Sequence, residues 1–383
     1  MQHQSRHPVL ARNAGLDLLR CLAILPVIVF HAVPGGAVLE QLGDIGVEIF
    51  FVLSGFLVAQ MVFERFGAIG TVDAFAAFLA NRWIRTFPLY FLFLGLNLLI
   101  ARHYRLINPG AVAVTGNFAQ VPDIAPYLVF LQNLTQGGRE RGLDWFGVSW
   151  TLSIEEWFYV LFPCLLLLAV ARHKTKVVLT MCGVLIGFSI LARASRYALD
   201  PTLPFDDMYR RVLLFRLDTF CFGILAYLIV SGRARVPGFD PKRHGRPLFL
   251  AGGLVIAASI VACASPSIGM AFSRIAYLSA LPLAVALMLP AFHGLAVRQA
   301  WLAAILKLIS TRTYALYLCH LPVAMLFTVW IADITVLTLP VLLGLNLACA
   351  DLIYRAIERP ILRLRPSRVH GAGPEQRALL SFT

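Results

Sequence analysis

Apolar runs close to the roughly 20 residues needed to cross a bilayer recur along the chain at about 17–33, 44–63, 84–101, 149–171, 175–194, 211–231, 247–265, 272–292, 312–332 and 334–357. The pattern predicts an all-α protein, a polytopic transmembrane helix bundle of about ten spans. Two polar stretches break the rhythm. Phe66 to Phe87 mixes Phe, Ala and Trp with Arg, which predicts an amphipathic helix along the inner surface, ended by Pro88 at the entry of the third span. Residues 102 to 148 form the longest outer loop, rich in Gly, Asn and Gln and closing on Asp144-Trp145-Phe146. No repeat of fixed period and no matched pair of Gly/Pro-broken spans in two halves is present, which counts against a transporter.

Composition agrees with the pattern. Of the 383 residues, 59% are hydrophobic and 14% charged, with a mean hydropathy of +0.77, outside the range of soluble domains. The net charge of +13 is spread over short loops and needs no nucleic acid; it speaks for topology and anionic lipid. Most of the 33 basic residues, including Arg6, Arg12, the Arg233 to Arg246 cluster and the arginines from Arg355 to Arg377, share one side if the N-terminus is inside. The positive-inside rule then puts both termini in the cytoplasm, with residues 1–365 as the membrane domain and 366–383 as a disordered tail. Asp17 and Arg20 interrupt the first apolar run, so it reads as a retained signal anchor. All seven cysteines fall inside predicted spans, where they act as small apolar fillers and not as a disulfide framework or a metal site.

Polar residues inside these spans carry the candidate chemistry, because an ionisable group in hydrocarbon costs roughly 2.5 kcal/mol or more. Arg20 and His31 are separated by ten residues in the first span. Eleven helical steps of about 100° return them to within roughly 20° of one face, about 16 Å apart. Imidazole titrates near neutrality and can accept a hydroxyl proton, and Glu48 or Glu155 from other spans could orient it. Asp17 is too far along the helix for that role. Glu48 sits near the outer end of the second span, with Ser54-Gly55 deeper. In the fourth, Thr151, Glu155 and Tyr159 share a face at i, i+4 spacing, and Glu156 points away. The sixth carries Arg216 and Asp218, where Arg216 could instead pair with Asp218 or Glu155 to hold the bundle. The ninth carries Tyr317 and His320 one turn apart. Arg82 and Arg85 flank Trp83 at i, i+3, a spacing suited to phosphate groups and ring stacking, or to a plain interfacial anchor. Outer residues Asp144, Trp145, Trp150, Asp206, Asp207 and Tyr209 have the chemistry to hold a sugar.

Taken in order, Arg20-x10-His31, GVEIFFVLSGFLV, Arg82-x2-Arg85 with Pro88 and Tyr90, SWTLSIEEWFY, FRLDTFCFG, YALYLCHLP and YRAIERP resemble the membrane acyltransferase family 3. That group includes bacterial O-acetyltransferases of surface polysaccharides, Nod factors and macrolides. The resemblance runs from Gly15 to Pro360. It implies a multi-pass protein of the bacterial inner membrane that moves an acyl group, usually acetyl, from cytoplasmic acyl-CoA to a hydroxyl of a carbohydrate or glycolipid, without a metal. The resemblance makes His31 the catalytic histidine, and ties Arg20, Arg82 and Arg85 to activity and donor binding. Glu155 joins His31 and Arg20 as a catalytic candidate. Trp83 and Tyr90 are candidates for the acyl-CoA site, and Glu48, Tyr159, Arg216, Asp218 and His320 for support, with Cys319 standing where many relatives carry an aromatic residue. Some relatives add a soluble hydrolase-like domain. This sequence stops soon after the tenth span, so the bundle and its outer loops, or a separate protein, are expected to meet the acceptor. A glycan or lipid-linked substrate transporter or flippase is the alternative.

Overall fold

Ten helices of the computed structural model are long and apolar enough to cross a membrane: Ala14–Ala32, Gln41–Glu64, Phe75–Ile100, Ser149–Leu167, Thr175–Leu199, Leu213–Val230, Arg243–Ala264, Gly269–His293, Ala300–Trp330 and Leu339–Leu362. They coincide one for one with the apolar runs read from the sequence, and are called the first to tenth spans below. The structure describes residues 12–33, 37–66, 71–107, 124–134, 146–170, 175–234, 238, 240–331 and 333–364, and no strand occurs among them.

Burial divides the spans by position. In the second and sixth, 72% of the apolar window is buried, against 11% in the seventh and 17% in the tenth. The second and sixth are therefore central, and the seventh and tenth turn apolar faces such as Leu250, Leu254, Val261 and Leu352 outward. In lipid such faces need no cover, since hydrocarbon solvates them as well as a protein core does. The core itself is aromatic, with Phe158 and Phe220 stacked at 3.8 Å between ring centroids and Phe51 tilted against Phe220 at 5.2 Å.

Close approach of the two central helices rests on glycine. A Cβ on Gly55 would collide with the carbonyl of Phe220, and one on Gly223 with the carbonyl of Val52. Without a hydrophobic drive between helices in lipid, small residues that let backbones touch favour close packing.

Two expectations change. The stretch after Thr71 is not a separate surface helix ended by Pro88; a single helix runs Thr71–Ile107 with Pro88 inside it. Proline removes one backbone donor, a loss that membrane helices tolerate when neighbours supply polar contacts. Thr86 Oγ1 donates to the carbonyl of Arg82 at 3.2 Å, and Tyr314 Oη from the ninth span donates to the Thr86 carbonyl at 2.8 Å, both within one turn of that proline. The described part of the outer loop also folds inward. Tyr127, Phe130, Gln132 and Asn133 are buried, Asn133 Nδ2 donates to the Trp150 carbonyl at 3.0 Å, and Tyr90 Oη donates to the Tyr127 carbonyl at 2.9 Å. Phe130 adopts a left-handed φ of 57°, which aims its carbonyl at donors from Ser153 Oγ and from Trp157 Nε1 at 3.0 Å. Asp144, Trp145 and the tail from 366 to 383 lie outside the described residues.

Replacing Gly223 with valine should therefore separate the central helices. The expected result is a loss of about 1–3 kcal/mol, read as a lower melting temperature of the detergent-purified protein. An unchanged melting curve would show that the backbones do not approach this closely.

Candidate functional site

His31 closes the first span, one residue before its end, and its ring is exposed. Its Nδ1 lies 2.8 Å from the Val27 carbonyl one turn back and 3.3 Å from Nε2 of His320 in the ninth span. The two imidazole centroids are 5.0 Å apart, and Phe30 packs edge-on to His31 at 4.7 Å. His320 is buried, with its Nδ1 2.8 Å from the Tyr317 carbonyl. Tyr317 is held in turn by Thr151, hydroxyl to hydroxyl at 2.6 Å. The first, fourth and ninth spans thus meet at this end through one chain of polar contacts.

Toward the other end, the third span delivers Arg82 to the fourth. Arg82 Nη2 donates to Tyr159 Oη, Tyr159 Oη donates to Ser54 Oγ at 3.0 Å, and Ser54 Oγ donates to Glu155 Oε1 at 3.0 Å. A guanidinium is linked to a carboxylate through two hydroxyls, each passing on the polarisation of the last. Arg82 Nε is buried without a hydrogen-bond partner among the described residues. Arg85, one turn along, makes no hydrogen bond or ion pair among the described residues. It stands within electrostatic reach of Arg20, whose Nη1 holds Asp17 Oδ1 at 3.0 Å. Asp17 also takes Arg12 Nε at 2.5 Å and Ser310 Oγ at 2.6 Å, so its carboxylate ties the start of the first span to the ninth. Trp83 is partly exposed and stacks on Phe87 at 5.2 Å. The result is a local excess of positive charge with unused donors, the electrostatic character of an anion site.

Between these ends the buried charges are paired. Arg216 meets Glu48 directly, and Thr219 Oγ1 donates to the same carboxylate at 3.0 Å. Arg193 Nη2 lies 2.9 Å from Asp218 Oδ2, which Ser279 Oγ also reaches at 2.5 Å. At the membrane edge Arg210 binds Asp44 at 2.5 Å and Asp206 at 3.1 Å, and its guanidinium covers the Trp150 ring. Burial alone would lower the pKa of Arg210, but Asp44 and Asp206 outweigh it and raise the value above its ordinary one.

Several sequence-based assignments are corrected by these positions. Neither Glu48 nor Glu155 hydrogen-bonds His31: the first is taken by Arg216 and the second by Ser54 and Tyr159, and His320 holds the ring instead. Arg216 pairs with neither Asp218 nor Glu155. Tyr90 is buried against Phe130 and Phe146, and its hydroxyl donates to the Tyr127 carbonyl. Arg193, near the end of the fifth span, is fully buried. Trp150 and Tyr209, considered for sugar contact, are buried as well. Arg193, Ser279, Thr219 and Asp44 were missed, since nothing in one helix's spacing shows which charge of another helix it meets. Among the described residues no cluster of three or more His, Cys, Asp or Glu is placed to hold a metal.

Comparison with known proteins adds a family to this geometry. Residues 13–355 match the family described as an acyltransferase domain. The peptidoglycan O-acetyltransferase OatA of Listeria monocytogenes is 25% identical over 377 residues, covering 91% of this chain and 55% of its own length. The O-acetyltransferase OatA of Staphylococcus aureus is 26% identical over 165 residues, 42% of this chain and 26% of its own. The chain spans about half the length, or less, of these curated relatives. No solved structure matches.

Glu48 and Arg216 offer a direct check of the buried pairing. Replacing Glu48 with methionine alone should strand Arg216 and cost about 3–5 kcal/mol, while the double replacement of both residues by methionine should recover most of that loss. Melting temperatures of the three proteins decide it, and equal effects of the single and double changes would contradict the pairing.

Proposed function

The chain belongs to the acyltransferase family, and on that premise we propose that it is a multi-pass membrane O-acyltransferase. It moves an acyl group, acetyl in the relatives' printed names, from acyl-CoA to a hydroxyl of a carbohydrate or glycolipid acceptor. The observation that carries this reading is the polarity of the first span: an open imidazole at one end and an arginine belonging to a cationic group at the other, about 16 Å apart by helix geometry.

In this reading the nucleotide phosphates of acyl-CoA settle against Arg82 and Arg85, with Trp83 offering a ring face, and the pantetheine arm runs inward between the helices. Arg82 Nε and the whole of Arg85 supply donors not used among the described residues. Glu155 and Tyr159 keep Arg82 extended toward that site. At the other end His31 takes the proton of the acceptor hydroxyl as its oxygen attacks the thioester carbon. The tetrahedral intermediate then expels the thiolate, the carbon–sulfur bond breaks, and the proton passes to sulfur to give the ester and free CoA. Proton transfer of this kind contributes about 10²–10⁴-fold. Glu48, Arg216 and Asp218 act here by fixing the spans and not by touching substrate. The acceptor class follows from the relatives, among them an enzyme named for peptidoglycan, and their bacterial sources favour the cytoplasmic membrane. The transporter alternative is not favoured by the family.

Replacing His31 with alanine should abolish transfer of labelled acetyl from acetyl-CoA to peptidoglycan fragments while protein yield stays constant. Retained transfer would remove His31 from the chemistry. Replacing Arg85 with alanine should weaken acetyl-CoA binding about tenfold, as measured by titration, and an unchanged affinity would reduce Arg85 to an interfacial anchor.

A further inference from the structure

We infer that His320 is a positioning residue for His31, fixing its tautomer so that Nε2 is the nitrogen left bare to receive the acceptor proton. The inference rests on the acyl-transfer reading above for its purpose, but its geometry stands apart from that reading. A backbone carbonyl can only accept. The 2.8 Å contact between His31 Nδ1 and the Val27 carbonyl therefore requires a hydrogen on Nδ1. The same argument applies to His320, whose Nδ1 lies 2.8 Å from the Tyr317 carbonyl and 3.3 Å from that of Leu316, so its hydrogen is also on Nδ1. Its Nε2 then carries a lone pair, and this lone pair lies 3.3 Å from His31 Nδ1. The His31 N–H is shared between a carbonyl and an imidazole nitrogen, and a hydrogen on Nε2 instead would break both contacts.

Nε2 of His31 has no partner among the described residues, and the ring that carries it is exposed. A neutral imidazole with its hydrogen pinned on one nitrogen presents an acceptor at the other, which is the form a general base needs. When Nε2 takes the acceptor proton, the ring becomes an imidazolium and its Nδ1–H becomes a stronger donor. His320 Nε2 receives that donor at the moment it strengthens. When Nε2 gives the proton to the leaving thiolate, both rings return to their starting forms. A carboxylate would serve the same purpose, but none among the described residues hydrogen-bonds His31; the Tyr317 carbonyl holds His320, and Thr151 from the fourth span holds the Tyr317 hydroxyl.

Two variants separate positioning from mere packing. His320→Leu fills the site without an acceptor and should lower kcat about 10–100-fold, with KM for acetyl-CoA and for peptidoglycan fragments within about twofold of the parent. His320→Gln places an amide oxygen where it can accept from His31 Nδ1 and should keep kcat within about fivefold of the parent. Equal losses in the two variants, an unchanged kcat in the leucine variant, or a loss confined to KM would overturn the proposal. A second measurement does not depend on catalysis. In ¹⁵N spectra of histidine-labelled full-length protein, with the His31 signals assigned from a His31→Gln sample, Nδ1 should carry the hydrogen and Nε2 should be bare, and His320→Gln should preserve this. A parent protein with the hydrogen on Nε2 would overturn the proposal even if the leucine variant fails to fold. A parent protein with the expected tautomer but no acyl transfer would instead sink the functional reading and leave the positioning intact.

Discussion

A charge placed among lipid-embedded helices has no water to fall back on and must find its counterpart inside the protein. This constraint orders the bundle more than any single apolar contact. Arg216 can sit fully buried only because Glu48 and Thr219 come to it from two directions, and Arg193 only because Asp218 and Ser279 do the same. These contacts join the second, fifth, sixth and eighth spans. Glycines 55 and 223 let the second and sixth approach until backbone meets backbone. Apolar packing alone would leave helices in lipid free to rotate about their axes; paired charges fix which face of each helix turns inward.

Besides these ion pairs, several groups stay open among the described residues, and atoms of Arg216 and Asp218 are among them. Among the described residues His31 keeps a ring nitrogen without a partner, Arg85 keeps its whole guanidinium, and Arg82 keeps a buried N–H. They occupy opposite ends of the first and third spans, with a hydrogen-bonded relay of Tyr159, Ser54 and Glu155 behind Arg82 and the His320–Tyr317–Thr151 chain behind His31. Arg82 and His31 are thus backed by residues that limit how they can move. A reaction between an anionic, nucleotide-borne thioester and an alcohol needs a binding end and a proton-accepting end, and the proposed reading assigns these to the arginine end and the His31 end.

Much of this was legible in the sequence, for reasons that differ by feature. The ten spans follow from run length and hydropathy, since a bilayer sets the length of each helix directly. Arg20 and His31 stood out because polar residues at helical spacing inside an apolar run are costly. Residues on one helix are related by its period, so Glu155 with Tyr159 and Tyr317 with His320 were visible as neighbours. What was not legible is everything that depends on two helices meeting. Spacing within the second span cannot show that Glu48 belongs to Arg216, nor can the ninth show that His320 reaches His31. Pro88 misled for a related reason: the rule that proline ends a helix comes from the lost donor, and a long membrane helix carries the proline inside it all the same.

The central claim is that the bundle connects a donor site at the arginine end to a proton acceptor at the His31 end. Sealed vesicles carrying the purified protein in one orientation test it most directly, with acetyl-labelled acetyl-CoA outside or inside and soluble peptidoglycan fragments on the other side. The account predicts labelled ester on the side opposite the donor, and only when the donor faces the end that carries Arg82 and Arg85. Label that stays on CoA in both arrangements, or ester that forms only on the donor's own side, would contradict it.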